Sequence, residues 1–328
     1  MIQFEEKRKI FDAFKKTCKK MNCDPEEIVY NTSKPAHSDF LIYWTGRDFD
    51  EARDVDLMIS YSSKTKDDRI VELYLKRLRS ILKYGLWMCK SKGDEEISVN
   101  EKPFTKPPVA RACFTELRLS EVRKHALKYG RLGIGVKRYF VFNRLGGPMT
   151  YVQKCTNNLF FPPFSDFLSN KKKNKNEKEM LSFAKHMCPP GLTPKRYDLL
   201  DESEWRIIYS ESIREKIEKS DIDDYEKQKI LNSFIKPSEI KDNAFHNYIK
   251  EHDKEKRLEY LIKLDEWFAM IIYPSLAVKL ESERDDKIRN CIKCLKPDLP
   301  KGEKPSGSGK DEKYNKPIEL NLDACRNF

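Results

Sequence analysis

The stretch Asp201–Glu211, DESEWRIIYSE, decides how this chain is read. Successive side chains of a strand point to opposite faces, so Trp205, Ile207 and Tyr209 share one face, and Glu204, Arg206 and Ile208 the other. The pattern predicts a strand with Glu204 at its mouth and Glu202 pointing the same way from the preceding loop. A carboxylate placed there is either decoration at the edge of a core or a catalytic group. Other parts of the chain have to separate the two readings.

Working outward, further apolar runs predict a sheet with interspersed helices. "SDFLIYWTGRD" (Ser38–Asp48) is the first strand. "DRIVELYLKRLRSILKYG" (Asp68–Gly85) is a helix with an apolar stripe of Ile70, Leu73, Leu78, Ile81 and Leu82, stopped by Gly85. "VARACFTELRLSEVRKHALKYG" (Val109–Gly130) is a strand running into a helix capped near Ser120. "LGIGVKRYFVFNRLGGPMTYVQ" (Leu132–Gln153) reads as two strands or as strand-helix-strand, turned at Gly146-Gly147-Pro148. "EWFAMIIYP" (Glu266–Pro274) is a buried strand, and Pro274 opens a helix over Ser275–Leu295.

Residues 3–22 predict an amphipathic helix, with Asp24 and Pro25 starting a short second one. Residues 50–68 read as an exposed excursion, and "SNKKKNKNEKE" (Ser169–Glu179) as a basic, solvated loop. Residues 211–265 read as a charged helical insertion. After Pro297 the composition predicts a flexible tail over 297–328. Short strands, single helices and long irregular loops point to one α+β domain over 39–296, preceded by a helical segment 1–38.

The chain has 328 residues, enough for one large or two small domains. Its 64 Lys and Arg against 53 Asp and Glu give a net charge of +11, which suits a polyanion such as RNA, DNA or a dinucleotide, and equally a lysine-rich surface. The apolar runs are too short for a membrane span, and the N-terminus lacks the apolar core of a secretory signal. Nine scattered cysteines then read as reduced thiols in the cytoplasm. Cys291 and Cys294 form a lone CxxC without a second pair, so no zinc site is expected. No metal-spaced histidine pair and no G-x-S-x-G elbow is present. Gly133 and Gly135 make a GxG that reads as close strand packing and not as a phosphate loop.

Two further segments offer binding groups. In "IYWTGRD" (Ile42–Asp48), Tyr43 and Trp44 supply aromatic faces and Thr45 a hydroxyl. Gly46 allows close backbone approach, and Arg47 offers a fork for phosphate or ribose. The same residues also suit an ordinary strand end. In "RACFTELRLSE" (Arg111–Glu121), Phe114 reads as core, and Thr115 as a hydrogen bonder or a plain strand residue.

The order "SDFLIYWTGRD", "LKRLRSILKYGLWM", "ACFTELRLSEVRKHALKYGRLGIGVKRYFV", "GGPMTYVQ" and "ESEWRIIY" resembles the AbiGi family of bacterial abortive-infection proteins, from about Asp39 to Tyr209 and more loosely to Leu295. That family is described as phage resistance proteins, often labelled antitoxins. More distantly, "IYWTGR…LRSILKYGLW" resembles the opening of ADP-ribosyltransferase folds such as the DarT toxins. This likeness implies an ADP-ribosyltransferase-like α+β domain with a split antiparallel or mixed sheet and surrounding helices. It implies NAD as cofactor, Glu204 as the catalytic carboxylate and Glu202 as its E-x-E companion. Tyr43, Trp44, Thr45, Gly46, Arg47, Thr115 and Tyr151 become cofactor-binding residues, with Tyr43 or Tyr151 stacking the nicotinamide. Tyr43-Trp44-Thr45 departs from the His-x-Thr typical of those enzymes. The chemistry suits a carboxylate that hydrogen-bonds the ribose 2′-hydroxyl and steadies an oxocarbenium-like charge. The family further implies a cognate antitoxin or toxin as partner; the +11 charge adds a nucleic acid, beside a protein, as the target. The competing reading is a non-catalytic antitoxin or nucleic-acid-binding module.

Overall fold

The computed structural model describes residues 40–50, 68–91, 95–99, 102–116, 122–152, 179–186, 203–295, 316–322 and 324–327. Glu202, the predicted helices within 1–38, most of the excursion 50–68 and the run 171–178 lie outside the described residues.

In chain order the elements are β1 (Phe40–Thr45), α1 (Arg47–Asp50), α2 (Asp68–Tyr84), β2 (Leu86–Cys89), β3 (Glu95–Val99), β4 (Lys102–Lys106) and β5 (Ala110–Thr115). Then come α3 (Val122–Tyr129), β6 (Leu132–Lys137), α4 (Arg138–Phe142), β7 (Gly147–Pro148), β8 (Thr150–Val152), a 3-10 turn Glu179–Phe183, β9 (Ala184–His186) and β10 (Glu204–Tyr209). The chain continues through α5 (Glu211–Lys219), α6 (Asp224–Leu231), β11 (Phe234–Ile235), α7 (Asn243–His252), β12 (Leu258–Ile262), β13 (Phe268–Tyr273), α8 (Leu276–Arg284), α9 (Asp286–Leu295) and β14 (Ile318–Asn321). Helices and a mixed sheet make this an α+β fold.

The main sheet runs β11-β12-β2-β5-β1-β6-β13-β14, with β10 on β5 and β7 on β10. Its pairings are antiparallel except β13 with β14. Strand β10 covers all of β5, from Glu204 opposite Thr115 to Tyr209 opposite Ala110. The other edge of β5 must therefore serve two strands. It holds β2 at one end (Cys89 opposite Arg111) and β1 at the other (Ile42 opposite Thr115). β1 and β2 part from each other along β5, so the sheet forks there.

The alternation read from the sequence organises the core. Ala110, Ala112 and Phe114 of β5 join Trp205, Ile207 and Tyr209 of β10, beneath Tyr74, Leu75, Leu78, Ile81 and Leu82 of α2. On β1, Leu41 belongs to this core, while Ile42 and Trp44 face a second cluster with Val122 and Ala126 of α3. The GxG is a close approach: a Cβ on Gly135 would lie 2.6 Å from Met270 Cβ on β13.

Three expectations change. The segment beyond 297 returns to the sheet: Ile318–Asn321 pairs parallel to β13, Tyr273 donates to Glu319 at 2.8 Å, and Leu322 and Cys325 are buried beside Ile42 and Met270. The alternation of Ile318, Leu320 and Leu322 carries this strand, and the polar composition before it hides the pattern. Residues 211–265 are more than a helical insertion, because their β12 lies between β11 and β2 in the main sheet. The single helix expected over 275–295 breaks at Asp285, whose carboxylate accepts from the Lys287 and Ile288 amides and starts α9.

Candidate functional site

The face of β5 and β10 turned away from the main core is polar. In register stand Thr115 with Glu204, Cys113 with Arg206, and Arg111 with Ile208. A strand with one solvated face would leave these groups in water. Here all six residues of β10 are buried, and Glu204 and Arg206 keep only 8% and 5% of their surface exposed.

What covers them explains how charge survives there. The segment Glu179–His186 lies against β10: Lys185 Nζ sits 2.8 Å from Glu204 Oε2, and Arg206 Nη1 donates to the Ser182 carbonyl at 2.5 Å. Arg206 Nε donates to Glu204 Oε1 at 2.6 Å. The hairpin β3–β4 brings Glu95 onto Arg111, which grips it through both terminal nitrogens, with Lys106 Nζ 3.7 Å from the same carboxylate. Each buried charge thus has a partner, as burial requires.

The electrostatics follow from this geometry. Burial alone would lift the Glu204 pKa, but Arg206 and Lys185 outweigh it and hold the carboxyl at about 2. Glu204 is therefore a permanent anion in the physiological range. Each of its oxygens has two acceptor sites, and each ion pair occupies one. Burial pushes the Cys113 thiol to about 11, and Glu204 adds to the shift, so Cys113 is a neutral thiol. Burial and nearby Arg206 lower the Lys106 ammonium to about 8.

At the fork lies a cavity of about 350 Å³. Because the strands part, both sheet faces reach it. Tyr43 and Trp44 come from β1, Trp87 and Cys89 from β2, and Arg111, Cys113 and Thr115 from β5. Glu204 and Arg206 come from β10, with Lys185, Tyr129 and Arg257 completing the wall. Four cationic side chains and one carboxylate line this space, together with aromatic rings. Such a lining suits a planar ring carrying negative groups.

The sequence-derived candidates divide. Glu204, Tyr43, Trp44 and Thr115 come together around the cavity. The Tyr151 hydroxyl accepts from the Glu204 backbone N–H at 3.0 Å, which places this tyrosine at the strand mouth. Tyr43 donates to the Trp87 carbonyl at 3.1 Å, and burial raises its phenol, so it stays neutral. Thr45, Gly46 and Arg47 are not among the lining residues. Thr45 Oγ1 accepts from Arg77 at 2.6 Å. Gly46 has φ +97°, and a Cβ there would meet the Tyr74 ring at 2.5 Å, so its role is to turn the chain over α2. Arg47 opens α1, is exposed and donates to the Lys128 carbonyl at 2.9 Å. The strand ends one residue before the turn, and that turn carries Arg47 away. Glu202 lies outside the described residues; Ser203 beside it has φ 41° and accepts from the Glu116 amide at 3.0 Å as the chain enters β10.

Sequence reading missed Arg206, Arg111, Lys185 and Arg257. The first two were legible in principle: Arg206 is two residues from Glu204, and Arg111, Cys113 and Thr115 alternate in RACFT. Lys185 and Arg257 have no local signal, since tertiary contacts alone bring them in. Among the described residues no helix is long and apolar enough to cross a membrane, and no group of three or more His, Cys, Asp or Glu could hold a metal ion. A scan against protein-family models and searches of curated proteins and solved structures find no match to this chain.

Proposed function

We propose that this protein is an NAD-consuming ADP-ribosyltransferase of bacterial phage defence, acting in the cytoplasm on a nucleic acid or protein, with the fork cavity as its dinucleotide site. The observation that carries the reading is the convergence of Tyr43, Trp44, Thr115 and Glu204 on one cavity. They come from three segments: the transferase likeness covers the strand of Tyr43 and Trp44 and matches Glu204, while Thr115 is the strand-end hydrogen bonder offered by RACFT. The fork between β1 and β2 agrees with the split sheet that this likeness implies. The phage-defence setting, and a cognate antitoxin as partner, rest on the AbiGi resemblance alone.

On this reading Glu204 accepts a hydrogen bond from the ribose 2′-hydroxyl and faces the positive charge that develops as the bond from ribose C1′ to the nicotinamide nitrogen breaks. Its low pKa suits that task, because only the anion places a full negative charge opposite the developing positive one. The bonding pair leaves with nicotinamide, and an acceptor nucleophile attacks C1′ and gives up its proton. Glu202, two residues earlier, is proposed to take that proton. Tyr43 or Trp44 offers an aromatic face to the departing ring.

A second reading has its own observation. Both Glu204 oxygens already hold cations, and a carboxylate so neutralised also suits a non-catalytic anion-binding module of an abortive-infection pair. Labelled NAD incubated with total cell RNA, DNA and protein separates the two. Transfer of label by wild type, abolished in Glu204→Gln, supports the enzyme. Absence of both transfer and nicotinamide release from the folded wild type rejects it in favour of the binding module.

A further inference from the structure

The four cations around the cavity are not equally committed. Arg206 and Lys185 share Glu204, and Arg111 grips Glu95 through two nitrogens. Arg257 differs. Its Nη1 reaches Glu255 Oε2 at 3.3 Å, on an exposed glutamate where solvent screens the pair. Its Nη2 has no hydrogen-bond or ion-pair partner among the described residues. About a third of its side chain is exposed (34%). Lys185 and Arg206 exceed the single charge of Glu204, so the surplus is shared; Arg257 contributes the part that is solvent-exposed and held by no buried carboxylate.

The arginine is also held in place. Asp253 accepts from the Arg257 and Leu258 amides, both at 2.9 Å, which fixes the backbone just before β12. Lys90 and Arg257 exchange bonds: Lys90 N donates to the Arg257 carbonyl at 2.9 Å, and Arg257 Nε donates to the Lys90 carbonyl at 2.7 Å. One edge of the guanidinium is thus fixed to β2's end, and the group stands at the wall of the cavity with donors unspent. A planar guanidinium edge matches two oxygens of a phosphate group.

We propose that Arg257 binds a phosphate of the cavity's ligand, so that the site takes nucleoside diphosphates in preference to bare nucleosides. The naming of NAD as that ligand rests on the function proposed above; the phosphate contact rests on the uncommitted guanidinium. Arg257 takes the part that the sequence pattern assigned to Arg47.

The test is equilibrium binding of NAD, ADP-ribose and adenosine to the full chain, as wild type, Arg257→Ala and Arg257→Lys. The expected result is that Arg257→Ala weakens NAD and ADP-ribose by about ten- to a hundredfold. Adenosine binding stays unchanged, and Arg257→Lys recovers part of the loss. Equal weakening of adenosine, or unchanged binding of both phosphorylated ligands, overturns the proposal. If wild type ignores NAD but binds ADP-ribose in an Arg257-dependent way, the phosphate contact stands and the transferase reading falls. If wild type cleaves NAD and Arg257→Ala binds it normally, the reverse holds. If wild type binds no phosphorylated ligand, both fall.

Discussion

Arg77 and Arg206 are equally buried, at 4% and 5% exposure, and sit in opposite circumstances. Arg77 is closed in on every side. Its three nitrogens donate to Tyr248 Oη at 2.5 Å, Thr45 Oγ1 at 2.6 Å and Asp48 Oδ2 at 2.7 Å. Its guanidinium also lies over the rings of Phe49, Trp87 and Tyr248. Arg206 is matched by Glu204 and the Ser182 carbonyl, but its surroundings open onto the cavity. Burial of charge does not by itself mark a site. Buried charge beside unfilled, ring-lined space makes a candidate, and on that ground Arg77 is a strut tying β1, α1 and α7 together, while Arg206 belongs to the candidate site.

The largest effect should come from the strut. Arg77→Ala strips Asp48, Thr45 and Tyr248 of a shared donor and is expected to cost about 3–5 kcal/mol. Urea unfolding measures it, and a loss below about 1 kcal/mol would remove the distinction drawn between the two arginines. Arg77→Lys should restore only a part, because an ammonium cannot serve three partners and three rings in that geometry.

Next in size is an acid effect at the cavity. Glu204 falls from the ordinary 4.5 to about 2 in the folded chain. A depressed carboxyl stabilises the fold above its unfolded pKa, and that contribution fades as pH falls from about 4.5 through 2. Its full size is roughly 3 kcal/mol, at 1.36 kcal/mol per pKa unit. Stability measured against pH in wild type and Glu204→Gln should converge over that window. Parallel curves would mean that the ion pairs with Arg206 and Lys185 contribute nothing.

Much of this was legible in the chain and some was not, for physical reasons. The alternation in DESEWRIIYSE placed Trp205, Ile207 and Tyr209 in the core and Glu204 with Arg206 on the other face, as found. Period-two patterning says which face a residue takes, but not what covers that face. The coverage of Glu204 by Lys185 comes from a segment nineteen residues away, and no local rule announces it. Arg47 misled because its type suits phosphate. Its direction depends on a turn at Gly46 that a string of residue types does not specify. The strand Ile318–Asn321 was lost for a related reason: a short alternation after a long polar run reads as tail until a partner strand is known.

That strand supplies a smaller effect. Leu322 is buried with Ile42, Trp44 and Met270, so Leu322→Ala should lower stability by about 2–3 kcal/mol. A change within about 0.5 kcal/mol would return the segment to the status of a tail. The smallest effect belongs to the strand mouth. Tyr151→Phe removes the acceptor for the Glu204 amide and should cost about 1–2 kcal/mol, read from the shift of the urea midpoint.

The most direct test is calorimetric titration of NAD into wild type, Cys113→Phe and Arg47→Ala. Cys113 presents a thiol to the cavity and stands outside the apolar core, so a phenyl ring there fills the space where ligand should sit. Arg47 is exposed and turned to the Lys128 carbonyl. The fork-cavity account predicts that wild type and Arg47→Ala bind NAD alike, and that Cys113→Phe, with an unchanged melting temperature, does not bind. Loss of binding in Arg47→Ala with binding kept in Cys113→Phe, or no binding by wild type at millimolar NAD, would contradict it.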